Sequence, residues 1–243
     1  MNTVLLKDLG TIEYGEAWTL QEQYMKEGLD IKSARFRQEA AAFAQTIPHY
    51  LFLCQHPHVY TLGKSGIEEN LLINDQRMKD LDVRFYKTNR GGDITYHGPG
   101  QMVAYPVLDL EQFFTDLGRY MRTLEEAIIL TLQEYGIVSG RLPGSTGVWL
   151  EADTSQARKI CAMGVKSSRW ITIHGLALNV NTDLQYFNYI VPCGITDKGV
   201  TSMERELGRK VDEEEVKRIF AQQFAKAFEA ALVPASGSMV SAS

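Results

Sequence analysis

The chain has 243 residues, 44% of them hydrophobic and 23% charged, with Lys+Arg 25 against Asp+Glu 30 and a formal net charge of −5. This composition supplies one sizeable core and excludes collagen-like, disordered and membrane-spanning classes. The acidic excess argues against a general nucleic-acid binder and leaves any anionic partner to a local basic patch.

In chain order, residues 4–6 and 11–14 read as short strands, and residues 17–37 carry helical spacing through Trp18, Tyr24 and Leu29. The apolar run at 50–54 predicts a buried strand, followed by His56-Pro57-His58 and a second run at 59–62 that stops at Gly63. Residues 83–88 alternate like a strand and feed a glycine-rich loop, beyond which 102–108 offers another strand. Leu117, Met121, Leu124, Ile128 and Tyr135 mark one face of a helix ending at Gly136. Three strand candidates follow at 147–150, 159–165 and 170–180, then a last helix over 212–232 with three acidic residues at its N-terminus. Strands outnumber helices without regular alternation, so the expected fold class is α+β, one domain over 1–232, with 233–243 as a disordered tail.

Three cysteines, Cys54, Cys161 and Cys193, are too few and too scattered for a disulfide framework or a paired zinc site. They are expected as reduced thiols, and with no leader or spanning pattern the chain is expected to be cytoplasmic. Gly63-Lys64-Ser65 lacks the upstream glycine of a P-loop, and no nucleophile elbow, zincin or dinucleotide fingerprint occurs. His56, His58, His97 and His174 lie in or beside turn-like segments and read as loop hydrogen-bonders, not as a convergent metal set.

Three segments concentrate the chemistry. Arg90-Gly91-Gly92-Asp93-Ile94-Thr95-Tyr96-His97 leads into Gly98-Pro99-Gly100-Gln101. So much glycine lets a backbone approach a ligand, although a tight two-strand connection would also use it. In Lys159-Ile160-Cys161-Ala162-Met163-Gly164 and His174-Gly175-Leu176-Ala177-Leu178-Asn179, small residues would either open a slot for an extended apolar ligand or mark bulges. Lys159 lies in an otherwise apolar strand, with Cys161 expected on the same face. Pro192-Cys193-Gly194 holds a cysteine in a stiff turn; it is the best nucleophile candidate, though spacing alone leaves it equally a small packing residue.

Together with His56-Pro57-x-Val59-Tyr60-Thr61-Leu62-Gly63 and Tyr105-Pro106, these blocks run in one order over most of residues 50–203 and resemble the lipoyl (octanoyl) transferase family. The resemblance implies a single α+β domain similar to the biotin and lipoate ligase catalytic fold. It implies a catalytic cysteine at Cys193, an essential lysine at Lys159, and an acyl pocket lined by Arg90, Gly91, Gly92, Asp93, Ile94, Thr95, Tyr96, His97, Ala162, Met163, Gly164, Gly175, Leu176 and Ala177. The implied reaction moves octanoyl or lipoyl from acyl carrier protein to a lysine of lipoyl domains of 2-oxoacid dehydrogenases and of the glycine cleavage H protein. It proceeds through a cysteine thioester and without cofactor or metal, in a monomer that binds neither nucleic acid nor membrane. An ATP-dependent lipoate ligase, a lipoyl-domain amidotransferase and a non-catalytic acyl-binding protein are the alternatives. Trp170 stands where that family commonly has glycine. Arg90, Arg158, Lys166, Arg169 and Lys198 are expected to dock the acidic carrier, and backbone N–H groups near Leu176 and Ala177 to hold an oxyanion.

Overall fold

A long first strand and a long first helix set the frame of the chain. The computed structural model describes residues 1–191 and 198–235. Strand β1 (Asn2–Thr11) takes in the strand expected at 4–6 but ends at the first residue of the one expected at 11–14, where α1 (Tyr14–Phe36) starts instead, its first turn closed by the Glu13 side chain accepting from Gly15 N–H. After the short α2 (Ala40–Phe43) come β2 (His49–Gln55) and β3 (Val59–Leu62). Helix α3 (Asp75–Asp80) leads to β4 (Arg84–Lys87), β5 (Ile94–His97) and β6 (Gln101–Val107). The glycine-rich stretch is therefore not one loop: β5 lies inside it, because Ile94, Tyr96 and His97 can pair with β3 and bury.

Helix α4 (Leu117–Gln133) is followed by β7 (Val148–Leu150), β8 (Arg158–Ser168) and β9 (Ile171–Asn179). The remaining elements are β10 (Gly199–Val200), α5 (Met203–Leu207), α6 (Glu213–Ala227) and β11 (Ala230–Pro234). The last helix thus stops five residues short of its expected end at 232. Glu229 at φ 49 turns the chain so that β11 runs parallel to β1, Val4 opposite Leu232. The expected tail boundary falls inside this strand, since Val233 and Pro234 pair with Leu5 and Leu6, and Ala235 N–H donates to Leu6 O. Residues 236–243 lie outside the described residues.

The large sheet has the order β10-β8-β9-β6-β2-β1-β11, with β7 added on β8; the small sheet is β4-β3-β5. Alternation sends each central strand's side chains to two faces. Leu51, Leu53, Met102, Ala104, Leu176 and Leu178 meet α4 and α6 through Leu124, Ile128, Phe220 and Phe224. Phe52, Cys54, Val103, Tyr105 and Ala177 face the other way, in the layer of Ala17 and Met25 from α1. The small sheet closes a third cluster with Tyr60, Leu62, Ile94 and Tyr96. No described helix is long and apolar enough to cross a membrane. The mixed sheets with helices on both faces are an α+β architecture, as expected.

Two local departures from regular geometry bear on the site. The β8–β9 hairpin turns on Arg169 (φ 45) and Trp170 (φ 68), both left-handed. Two-residue hairpins favour such a turn because its twist matches the strands, which explains why glycine suits position 170. Here Leu110 N–H donates to Trp170 O and Lys32 Nζ to Arg169 O at 2.8 Å, holding the turn without glycine. The other departure is a bulge on β8: Val148 pairs with Cys161 and Trp149 with Lys159, two steps on β8 against one on β7.

Candidate active site

A cleft opens between the β8–β9 hairpin, the small sheet with its glycine-rich approach, and the N-terminus of α1. Counted out to its open mouth, it holds about 930 Å³ of space between protein atoms. The glycine-rich segment contributes Arg90, Gly92, Asp93, Ile94, Thr95 and His97; β8 contributes Lys159, Ala162, Met163 and Gly164; β9 contributes Gly175, Leu176 and Ala177. Two expected lining residues stand apart. Gly91 backs onto β8, its N–H donating to Val165 O at 2.9 Å, and Tyr96 is buried in the small-sheet cluster, where its hydroxyl meets His58 Nδ1 at 2.7 Å and its ring stacks on Tyr186. Cys193 lies outside the described residues. Lys198, Gly199 and Val200, which follow that segment, border the cleft, and Thr201 N–H donates to Lys159 O at 3.0 Å.

The bulge decides which side chains of β8 enter the cleft. Ile160 and Cys161 both fall into the α4/α6 core, so Cys161 does not share the face of Lys159 as expected. Burial pushes the thiols of Cys54 and Cys161 well up, which leaves both poor nucleophiles. Lys159 instead projects into the cleft, with Nζ 4.7 Å from the centre of the Trp149 ring. Glycines on the two strands answer to backbone crowding: a Cβ on Gly164 would stand 2.6 Å from Gly91 O, and one on Gly175 2.0 Å from Ala104 O. Gly175 therefore lets β9 lie close to β6, while Gly164 lets the glycine-rich segment close down on β8.

The cleft's floor is polar and buried. His97 Nδ1 faces Gln101 Oε1 at 2.8 Å, and Gln101 Nε2 donates to Tyr96 O and Asn179 Oδ1. The amide oxygen is thus an acceptor, so His97 carries its proton on Nδ1 and offers Nε2 to the Thr61 hydroxyl. His174 Nε2 donates to Asn89 Oδ1 at 2.8 Å, because the Asn89 amide nitrogen is committed to Glu22. His174 also holds φ 59 although buried, its N–H fixed by Gln21 Oε1 at 2.7 Å. Behind them His56 donates from Nδ1 to Ile12 O and accepts from the Tyr105 hydroxyl at 2.7 Å. Burial, with Arg90 and neighbouring imidazoles adding to it, brings His97 down to about 3; burial brings His174 to about 3 and His56 to about 4. All three are neutral near pH 7. Tyr14, stacked on His97 at 5.9 Å, is pushed up to about 12 by burial and stays protonated. These histidines are buried sheet and core residues, not the loop residues their glycine and proline neighbours suggested, and no described cluster of three ligand-type side chains could hold a metal.

Arg90 is only 7% exposed, which removes it from any docking surface. Its guanidinium donates to Thr61 Oγ1 at 2.9 Å, Asp93 O at 2.8 Å and Gly91 O at 3.0 Å, so its charge organises the glycine-rich segment from within. Of the other cations expected to dock a carrier, Arg158 is engaged by Glu151 and Glu206 and Lys166 by Glu22. Leu176 and Ala177 pair with β8 on one side and β6 on the other, so ladder bonds occupy the backbone N–H groups expected to hold an oxyanion. Sequence reasoning left Tyr14, Gln101, Tyr105, Trp149, His174, Asn179, Phe187 and Lys198 without a place in the lining. Gln101, His174 and Asn179 stood inside the motif blocks and could have been found there. Tyr14 lies far from them in sequence, and Phe187 falls in the gap between two blocks; neither carries a local signal.

Residues 13–225 match the model of the lipoyl protein ligase A/B catalytic domain. The chain is 55% identical over 231 residues to an octanoyltransferase of Flavobacterium johnsoniae, covering 95% of this chain and 98% of that protein. A bipartite lipoate protein ligase from Thermoplasma acidophilum shares the fold with a TM-score of 0.69 at 16% identity, covering 98% of this chain and 87% of that one. Biotin protein ligase from Aquifex aeolicus, in its complex with biotin and ATP, follows at 0.51 and 13% identity, covering 94% and 70%. The match to the family model over most of the chain, around a cleft built from the residues that first suggested it, means that this protein belongs to the lipoyl protein ligase A/B catalytic domain family.

Proposed function

We propose that the chain is an octanoyltransferase of protein lipoylation, which transfers an octanoyl group to the acceptor lysine of lipoyl domains. The observation that carries this reading is the cleft itself. It places Lys159 beside an elongated wall of Ala162, Met163, Gly164, Leu176 and Ala177, in a chain more than half identical to the octanoyltransferase of F. johnsoniae. Between Lys159 and Gly164 that wall runs for roughly 16 Å at a strand's rise per residue, room for a medium-length acyl chain laid along β8.

In the chemistry we assign, the donor is octanoyl-acyl carrier protein and the nucleophile is Cys193. The thiolate adds to the octanoyl carbonyl and the carbon–sulfur bond to the carrier breaks. Lys159 gives a proton to the departing carrier thiolate. In the second half-reaction Lys159 takes a proton from the acceptor ammonium, and the resulting amine attacks the Cys193 thioester. The amide forms, the cysteine leaves as thiolate, and one proton passes to solvent.

The test is intact-mass analysis with peptide mapping after mixing the protein with octanoyl-acyl carrier protein and no acceptor. A hydroxylamine-labile adduct on Cys193, absent from Cys193→Ser and discharged by added lipoyl domain, is the expected result. No adduct, or turnover that requires ATP, would overturn the assignment.

A further inference from the structure

Trp149 is a buried tryptophan whose indole N–H meets no acceptor among the described residues, although the ring is only 2% exposed. An unmade bond at a buried donor lowers stability, and an aliphatic or phenyl side chain would fill the space without it. What the indole has, and those side chains lack, is the most electron-rich face among the natural aromatics. That face is spent on one group: the Lys159 ammonium lies 4.7 Å from the ring centre.

The backbone makes the contact obligatory. Trp149 is the register partner of Lys159 across β7 and β8, so the two side chains leave the sheet on the same side. On its other edge Trp149 exchanges two hydrogen bonds with Gly140, at 2.8 and 2.9 Å. Gly147, two residues upstream, holds φ 109, donates its N–H to the fully buried Glu125, and would place a Cβ 3.6 Å from Lys159 Cδ. The lysine stem thus passes over the Gly147 backbone with an aromatic plate beside its head.

We infer that Trp149 is a positioning residue for the transfer reaction: its indole face holds the Lys159 ammonium at the place in the cleft where the acyl carbonyl is attacked. The inference rests on the reading of Lys159 as the proton-transferring lysine. The ring attracts the cation through its quadrupole, so this contact tolerates the small sliding that two half-reactions require.

The experiment is a series of tryptophans carrying one to four ring fluorines, introduced at position 149 alone in the full-length protein. Fluorination drains the face of negative potential and leaves the shape nearly unchanged. The expected result is a stepwise fall in kcat, roughly tenfold across the series, at constant acceptor KM and constant Tm. Trp149→Phe, which keeps a face and sheds the orphan N–H, should retain more kcat than Trp149→Leu. A flat fluorine series, or equal kcat in the Phe and Leu variants, overturns the inference. Lys159→Met in the same assay separates the two layers. If it is inactive while the fluorine series is flat, only the role of Trp149 fails; if it turns over normally, the reading of Lys159 fails and takes this inference with it.

Discussion

The floor and the rim of the cleft are built on opposite principles. At the floor, His97, His174, His56 and Tyr105 are buried and bonded to one another or to fixed amides, with the buried Tyr14 ring packed on His56 and His97. Burial there favours the neutral forms: the imidazoles go down and the phenols go up. At the rim, Lys159 and Lys198 are half-buried cations, with exposed glycines Gly92 and Gly199 beside them. One region is locked, its imidazoles and phenols neutral and the Arg90 charge turned inward, and gives the cavity its shape; the other carries its charge at the cleft. Changes at the floor should therefore register as stability, and changes at the rim as turnover.

The largest expected effect tests the floor. Its three histidines titrate near 3 to 4 when folded and near 6.5 when unfolded, so between those limits the unfolded chain binds more protons. Their contribution is complete above about pH 6.5 and is lost as pH falls toward 4. By linkage, stability should drop by about 5 kcal/mol between pH 7 and pH 5. Equilibrium denaturation at the two pH values measures it, and a drop under 1 kcal/mol would mean that the floor is hydrated and chargeable.

Next in size is the rim. Lys159→Ala should reduce turnover about a thousandfold, in the range of lost general acid–base catalysis, with Tm within a degree or two of the parent. Loss of stability of floor-like size would erase the distinction between the regions. Arg90→Met belongs with the floor despite its charge. It leaves the oxygens of Thr61, Gly91 and Asp93 without their donor and should cost about 3 kcal/mol. The salt dependence of the donor KM should stay as it was, whereas a docking arginine would flatten it. Gly164→Ala is the smallest: the 2.6 Å approach to Gly91 O calls for a backbone shift costing roughly 1–2 kcal/mol. That shift moves the glycine-rich segment off β8, so the octanoyl KM should rise as well.

Much of this cleft could be read before any fold was known, because glycine density and a lysine in an apolar strand are local signals. Strands β2, β3, β6, β8 and β9 and helix α4 followed from periodicity for the same reason. Arg90 was identified as important but given the wrong task. Its residue type says it carries charge, while only its bonds to Thr61 of β3 and to Asp93 O say that the charge faces inward. Residues 230–232 continue the apolar pattern of α6 and so read as helix, with 233–234 falling to the tail, because the edge of β1 that claims them is more than two hundred residues away.

Sequence by itself determined which residues would gather at a site, and the class of architecture that would hold them, since both are written in composition and short-range spacing. Tertiary structure decided which way those residues face. One extra residue at the β8 bulge sends Cys161 into the core and leaves Lys159 in the cleft over Trp149. The side a side chain takes depends on its strand's register with a neighbour, and register is settled by burial over the whole sheet.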